Sequence, residues 1–157
     1  MDSLTSRVGA WALSTRSVAR APIWLYRHRL GRLMGDRVLM LEHRGRTSGL
    51  PRYVCLEVVA RPSATTIVVA SGFGEGSQWY RNLSADPTCR VSLGRQVEVP
   101  AHARLLDEEE SRAVLAGYQA AHPTAWRRLR AAIERVTGEP VTSLPMVELT
   151  LSPAAEG

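Results

Sequence analysis

The sequence predicts a mainly β fold with peripheral helices, a small barrel and not a βαβ sheet, on three observations. Short apolar runs bounded by turn residues follow one another in quick succession from Arg37 to Leu105. Helix signals are kept apart from them, before Arg37 and between Asp107 and Val136. A last short apolar run, Pro145–Leu151, stands beyond those helices. With 157 residues and 45% hydrophobic content, the chain can bury one sizeable core. No repeat or long linker divides it, so a single domain over 1–157 is expected, with 1–34 as an appended basic helical arm.

The arm reads as two helical segments over 4–34. The second begins at Pro22, which suits a helix start, and gathers Ile23, Leu30, Leu33 and Met34 on a common face. Residues 1–41 hold seven arginines and two acids, which accounts for the whole formal charge of +5; all twenty basic residues are arginine. Two readings of the arm stay open: a helix covering the barrel with its arginines in water, or an arginine- and tryptophan-bearing helix resting on an anionic membrane surface. Nucleic acid is not expected, because no reading element accompanies the charge.

Strands are expected at Arg37–Leu41, Tyr53–Ala60 and Thr65–Ala70, with Arg61-Pro62-Ser63-Ala64 as the turn between the last two. Thr88–Leu93 and Gln96–Leu105 form a hairpin around Gly94-Arg95, the second strand alternating Val97, Val99, Ala101, Ala103 and Leu105 with more polar positions. Asp107-Glu108-Glu109-Glu110 opens a helix: Asp107 is a good N-cap, Glu110 sits three residues on, and the acids suit the positive end of the dipole. That helix runs to about Ala121, His122-Pro123 breaks it, and a second runs over Thr124–Val136.

The functional signal begins at Glu42-His43-Arg44-Gly45-Arg46-Thr47-Ser48-Gly49-Leu50-Pro51-Arg52, between the first two strands. Glycines let backbone N–H groups turn towards one point, hydroxyls add donors, and three guanidinium forks suit phosphate or carboxylate. The loop reads as an anion cradle or, equally, as a polar hairpin loop with solvated arginines. Self-sufficient catalytic sets are missing. His28, His43, His102 and His122 have no metal-ligand spacing, no nucleophile elbow or phosphate-binding loop occurs, and Gly72, Gly74 and Gly76 do not make a dinucleotide fingerprint. No metal is expected, and the pattern suits a protein whose chemistry is brought by a cofactor. Cys55 and Cys89 lie in strand-like runs and read as small buried hydrophobes. With no signal peptide or bilayer-length apolar run, the expected location is cytoplasmic, with the arm offering contact to the inner face of the membrane.

A second stretch narrows this: Ser71-Gly72-Phe73-Gly74-Glu75-Gly76-Ser77-Gln78-Trp79-Tyr80-Arg81-Asn82-Leu83-Ser84-Ala85-Asp86-Pro87. Together with Gly45-Arg46-Thr47-Ser48-Gly49-Leu50-Pro51-Arg52 and the closing Pro145-Met146-Val147-Glu148-Leu149, it resembles the deazaflavin-dependent nitroreductase family, from about Leu25 to Leu151. The resemblance implies a split β-barrel of the FMN-binding kind that holds the deazaflavin coenzyme F-420. It places the cofactor's phosphate and acidic tail on Arg44, Arg46, Thr47, Ser48 and Arg52, and its ring near Ser71 and Gly72. Backbone donors to the ring carbonyls would come from Gln78, Trp79 and Tyr80, and Asn82 would fix the turn. The implied activity is hydride transfer from reduced F-420 to a small organic acceptor such as a quinone, nitroaromatic or enone.

The chain also departs from the family. Where similar members carry a tyrosine cluster, it has His122-Pro123-Thr124-Ala125-Trp126-Arg127-Arg128, and Glu57 interrupts the second strand. Candidate acceptor-pocket residues are therefore His122, Trp126, Arg128, Tyr118 and Glu57. Two alternatives remain at this stage: an FMN-dependent split-barrel reductase, and a non-catalytic deazaflavin- or flavin-binding carrier. Either a monomer or a homodimer fits.

Overall fold

The computed structural model describes residues 37–72 and 74–152; the arm expected over 1–34 lies outside the described residues. Six antiparallel strands close into a barrel: β1 (Val38–Arg44), β2 (Pro51–Ser63), β3 (Thr66–Ala70), β4 (Thr88–Leu93), β5 (Gln96–Leu105) and β6 (Met146–Leu151). They run around the wall in the order β1-β2-β3-β6-β5-β4, with β4 pairing back on β1. Three helices join them: α1 (Gln78–Ala85), α2 (Glu108–Ala121) and α3 (Pro123–Thr137). The expected barrel with peripheral helices is what forms.

Alternation builds the core. Leu39, Leu41, Ile67, Val69, Val91, Leu93, Ala101, Ala103, Val147, Leu149 and Leu151 point inward from five of the strands and are buried together, with the partly buried Val54, Leu56 and Val58 of β2 packed against them. α1 stoppers this interior with Trp79, Tyr80 and Leu83. A second cluster lies where α2 and α3 pack on the outside of β3 and β6: Val68, Leu106, Leu115, Tyr118, Trp126, Ile133, Leu144 and Met146. Both faces of β3 and β6 are therefore covered, which is why Thr66–Ala70 reads as a continuous apolar run.

Two strands and one helix differ from expectation. β1 continues past Leu41 because Glu42, His43 and Arg44 still pair with Tyr53, Arg52 and Pro51, leaving a connection of only Gly45–Leu50. β2 runs on to Ser63, through Pro62. The ladder with β3 shifts register between Val58 and Ala60 and again between Ala60 and Ser63, and a proline without an N–H is tolerated at such an irregularity. No helix is expected from the sequence over Gln78–Ala85, yet α1 forms there, its eight residues held by burial of one face.

The other helices follow their signals. Asp107 accepts from the Glu110 N–H at 2.8 Å while the Glu110 carboxylate accepts from the Asp107 N–H at 3.0 Å, a complete capping box. α3 opens with Pro123 and closes on Gly138, whose φ of 74° is the left-handed conformation glycine adopts without steric cost. No helix among the described residues is long and apolar enough to cross a membrane.

Candidate cofactor site

The site grows from the tight turn after β1. Its ends are joined by the Gly45 N–H donating to the Leu50 carbonyl at 2.9 Å and the Gly49 N–H to the Gly45 carbonyl at 2.8 Å. The Ser48 hydroxyl accepts from the Leu50 N–H at 3.2 Å. The turn is close enough that a Cβ on Gly45 would stand 2.6 Å from Ser48 Oγ. With those groups spent on the turn, the N–H groups of Thr47 and Ser48 and the Thr47 hydroxyl have no hydrogen-bond partner among the described residues.

The turn is fastened to α1 through Arg46. Asn82 Oδ1 accepts from the Arg46 backbone N–H at 3.1 Å and from Arg46 Nη1 at 2.8 Å, and Gln78 Oε1 accepts from Nη2 at 2.9 Å. These bonds use two of the five guanidinium hydrogens and leave the rest for a ligand. Asn82 Nδ2 stands 3.0 Å from Nδ1 of His43, which is 4% exposed. Burial, and secondarily the Arg52 guanidinium across the ladder, push the His43 imidazole down from 6.5 to about 4.

Of the other two arginines expected here, Arg44 donates to the Gly49 carbonyl at 3.4 Å and Arg52 Nε lies 3.6 Å from the Cβ position of Gly45. Strand alternation sends Arg44 and Arg52 to opposite faces of the β1–β2 ladder, so they flank the turn from two sides. Arg44 and Arg52 thus lie against the loop itself, and Arg46 is turned to α1.

The glycine-rich connection leads from β3 to α1. Ser71 is fully buried; its N–H donates to the Pro145 carbonyl at 2.8 Å, and its hydroxyl donates to the Gly74 carbonyl at 2.5 Å and lies 2.9 Å from Ser77 Oγ. A Cβ on Gly72 would meet Ile133 of α3 at 3.5 Å, ordinary contact. Ser77 caps α1 without a side-chain bond. The N–H groups of Gln78, Trp79 and Tyr80 have no hydrogen-bond partner among the described residues and open the helix at its positive end.

Trp79 and Tyr80 are each 8% exposed and meet edge to face, ring centres 6.0 Å apart. Both therefore carry core packing, though Tyr80 also faces outward. A recess of about 350 Å³ is lined by Arg46, Glu75, Tyr80, Arg81, Ser84 and Ala85. Burial, with Glu75 second, raises the Tyr80 phenol above its usual range.

The acceptor-pocket candidates lie elsewhere. Glu57 pairs with Val38, six residues along the ladder from Pro51 and Arg44, a separation of about 20 Å. There the Tyr118 hydroxyl donates to Glu57 Oε1 at 3.3 Å, and the Tyr118 and His122 rings are 5.4 Å apart. Burial first, then Glu57, push the Tyr118 phenol up to about 12, against a lowering by Arg37. Trp126 is buried in the helical cluster, while Arg128 is exposed on α3. Glu57, Tyr118 and His122 are thus brought together, apart from the arginine turn. His43 is the residue that sequence reading misses. It stands on the inward-facing side of β1 in step with Leu39 and Leu41, a polar break in that row that marks the barrel mouth. Among the described residues no group of three or more His, Cys, Asp or Glu side chains is gathered as a metal site.

The comparisons agree with this architecture. A family model for F420H(2)-dependent quinone reductase matches residues 18–136. A Mycobacterium tuberculosis protein named "Putative F420H(2)-dependent quinone reductase Rv3178" is 41% identical over 58 residues, 36% of this chain and 48% of that protein. The match thus spans about half the length of that relative. A solved F420-H2-dependent reductase, FDR-A, superposes with a TM-score of 0.53 at 24% identity over 73% of this chain and 95% of its own. A pyridoxamine 5′-phosphate oxidase-type protein from Listeria innocua does so at 0.52 and 15% identity, over 82% and 94%. At such identities the superpositions speak for the barrel fold alone. The family match covers well over half of the chain: it belongs to the F420H(2)-dependent quinone reductase family.

Proposed function

We propose that this chain is a reductase that binds reduced coenzyme F-420 and passes its hydride to a small organic acceptor, of which quinones are the first class to test and nitroaromatics and enones the next. The observation that carries the reading is the Gly45–Leu50 turn. Its Thr47 and Ser48 N–H groups are unpartnered among the described residues, and its Arg46 fork is held at the edge of a recess that Tyr80 also lines. That donor set fits a polyanion, since charge-assisted bonds from N–H groups and guanidinium are the strong ones. Glu75 is the one carboxylate on the recess and disfavours a second negative charge beside it.

When bound, the deazaflavin supplies the hydride. The chain's part is to bind, orient and exclude water. Arg46, Thr47, Ser48 and Arg44 would hold the phosphate and acidic tail, with Arg52 flanking. Ser71 tethers the glycine-rich connection, and Gly72, whose Cβ direction faces Ile133, would line the ring through its backbone alone. The N–H groups of Gln78, Trp79 and Tyr80 are donors for ring carbonyls, and Asn82 fixes Arg46. The acceptor end would be the Glu57–Tyr118–His122 group, with Arg128 exposed on the adjoining helix and Trp126 as its packed support. The Tyr118 phenol, raised to about 12, stays protonated at neutral pH and can offer a hydrogen bond to the acceptor, though as an acid it is weaker than a free phenol. The separation of about 20 Å between the two ends suits a long ligand with charge at one end only.

Fluorescence titration with F-420 and, separately, with flavin mononucleotide tests the cofactor. Saturable F-420 binding with weak or absent flavin binding supports the reading, and flavin binding alone ends it. Reoxidation of reduced F-420 by a quinone panel tests turnover; binding without reoxidation would make the chain a carrier. Cytoplasmic residence and membrane contact through residues 1–34 belong to the same proposal, the latter read by liposome flotation of the chain with and without that arm.

A further inference from the structure

We propose that His43 is a positioning residue for the anion-binding turn: through Asn82 it fixes the guanidinium of Arg46 in the orientation that receives the cofactor's negative end. This rests on the cofactor reading above and deepens it.

The hydrogen-bond directions leave one consistent arrangement. Arg46 has only donors, so both of its bonds to Asn82 must reach the amide oxygen, at 3.1 Å from the backbone N–H and 2.8 Å from Nη1. The amide nitrogen is thereby turned to His43, where it stands 3.0 Å from Nδ1. An amide NH₂ has no lone pair to offer, so Nδ1 must accept and the proton of the neutral ring sits on Nε2. Arg46 holds the amide oxygen from one side and His43 holds the amide nitrogen from the other. Without His43 that buried nitrogen would lose its acceptor, and a half-turn flip would set donor against donor at Arg46 and release the guanidinium. His43 thus reinforces the end of Asn82 that faces the turn, from beneath the barrel mouth and without touching the ligand.

The surroundings are suited to this and to nothing requiring a charged ring. His43 is buried. The charged groups that face it are Arg52 from β2, directly across the ladder, and Arg46 on the turn, held by the same Asn82 that α1 contributes. Its strand neighbours Glu42 and Arg44 point to the other face, as does Arg90 of β4, which pairs with Glu42. Protonating Nδ1 would set two donors against each other and two cations side by side.

Two variants separate positioning from bulk. His43→Asn places an amide oxygen close to where Nδ1 lies, so the acceptor is kept and the titration removed. His43→Leu keeps the volume and removes the acceptor. F-420 fluorescence titrations at about pH 7 should show Kd raised about tenfold in His43→Leu and nearly restored in His43→Asn, the loss of one hydrogen bond to a charged network. As pH falls from about 5 towards 4, wild-type affinity should fall more steeply than that of His43→Asn, which shares every other titrating group including the ligand's own. A ligand-free readout goes with these: the Arg46 backbone N–H should resist hydrogen exchange in the wild type and in His43→Asn and lose protection in His43→Leu.

Equal Kd values for wild type and His43→Leu would overturn the inference while leaving the cofactor reading intact. No F-420 binding by the wild type would overturn both. Should His43→Leu fail to fold, the His43→Asn pH profile decides: a profile parallel to wild type overturns the inference, and a flatter one supports it.

Discussion

Arg46 and Asn82 meet twice across 36 residues of chain, once through the backbone N–H and once through the guanidinium, both on the same amide oxygen. One side chain of α1 therefore sets both the path of the turn and the direction of its charge. Arg46→Ala removes the guanidinium and keeps the backbone bond, so the turn persists. We expect it to weaken F-420 binding by about 1.5–3 kcal/mol, the range for hydrogen bonds to charged groups. Arg46→Lys should recover only part, because an ammonium cannot span Asn82 and Gln78 while facing a ligand. An unchanged Kd in Arg46→Ala, measured by fluorescence titration, removes Arg46 from the site.

Gly45 and Ser48 form a second pair. A methyl on Gly45 would stand 2.6 Å from Ser48 Oγ, the same oxygen that accepts from the Leu50 N–H. Gly45→Ala is expected to lower stability by about 1 kcal/mol and to weaken cofactor binding, by displacing the turn. Adding Ser48→Ala to it should restore part of the stability, although Ser48→Ala alone is mildly harmful. Additive losses in the double variant, read by urea denaturation, would show that the two do not clash.

His43 gives the fold a pH dependence of definite sign. Its imidazole is at 6.5 unfolded and about 4 folded, so between these values the unfolded chain binds more protons. Stability is complete above about pH 6.5 and falls as the pH drops towards 4, by at most roughly 3 kcal/mol. The difference in stability between about pH 7 and about pH 4.5 should shrink in His43→Asn. Equal acid sensitivity in the two proteins would place the titration elsewhere.

Tyr118 tests the far end. Tyr118→Phe removes a 3.3 Å bond to Glu57, whose carboxylate is exposed and returns to water, so the stability cost should stay below about 1 kcal/mol. Lying about 20 Å along the sheet from the turn, the change should leave the F-420 Kd within about twofold while slowing reoxidation by a quinone. Weakened cofactor binding at an unaltered quinone rate would contradict the division of the site into these two ends.

Much of this was legible in the residues, for reasons that differ by element. The β4–β5 hairpin lies where Gly94 and the alternation of Val97 to Leu105 put it, and α2 opens where Asp107 and Glu110 form their box. These are local signals, and local geometry satisfies them. α1 was not legible, since an eight-residue helix is fixed by Trp79, Tyr80 and Leu83 entering a barrel mouth that forms only after distant strands pair. The arginine turn was visible as chemistry, but its extent was not. Glu42 and Arg44 look like loop residues, and only pairing with β2 and β4 makes them strand. The resemblance implied that Asn82 fixes the turn, but the hold of Asn82 and Gln78 on the Arg46 guanidinium, with His43 behind Asn82, could not be read in advance, because it forms only once the barrel closes.

The most direct test of the account is the affinity of the purified chain for F-420, followed by cofactor fluorescence at two salt concentrations in wild type and Arg46→Ala. A polyanion docked on the arginine turn should bind saturably, bind less tightly at high salt, and lose part of both its affinity and its salt sensitivity in Arg46→Ala, since Arg44 and Arg52 remain. Absence of binding in the wild type, or a Kd indifferent to both salt and Arg46, would contradict it.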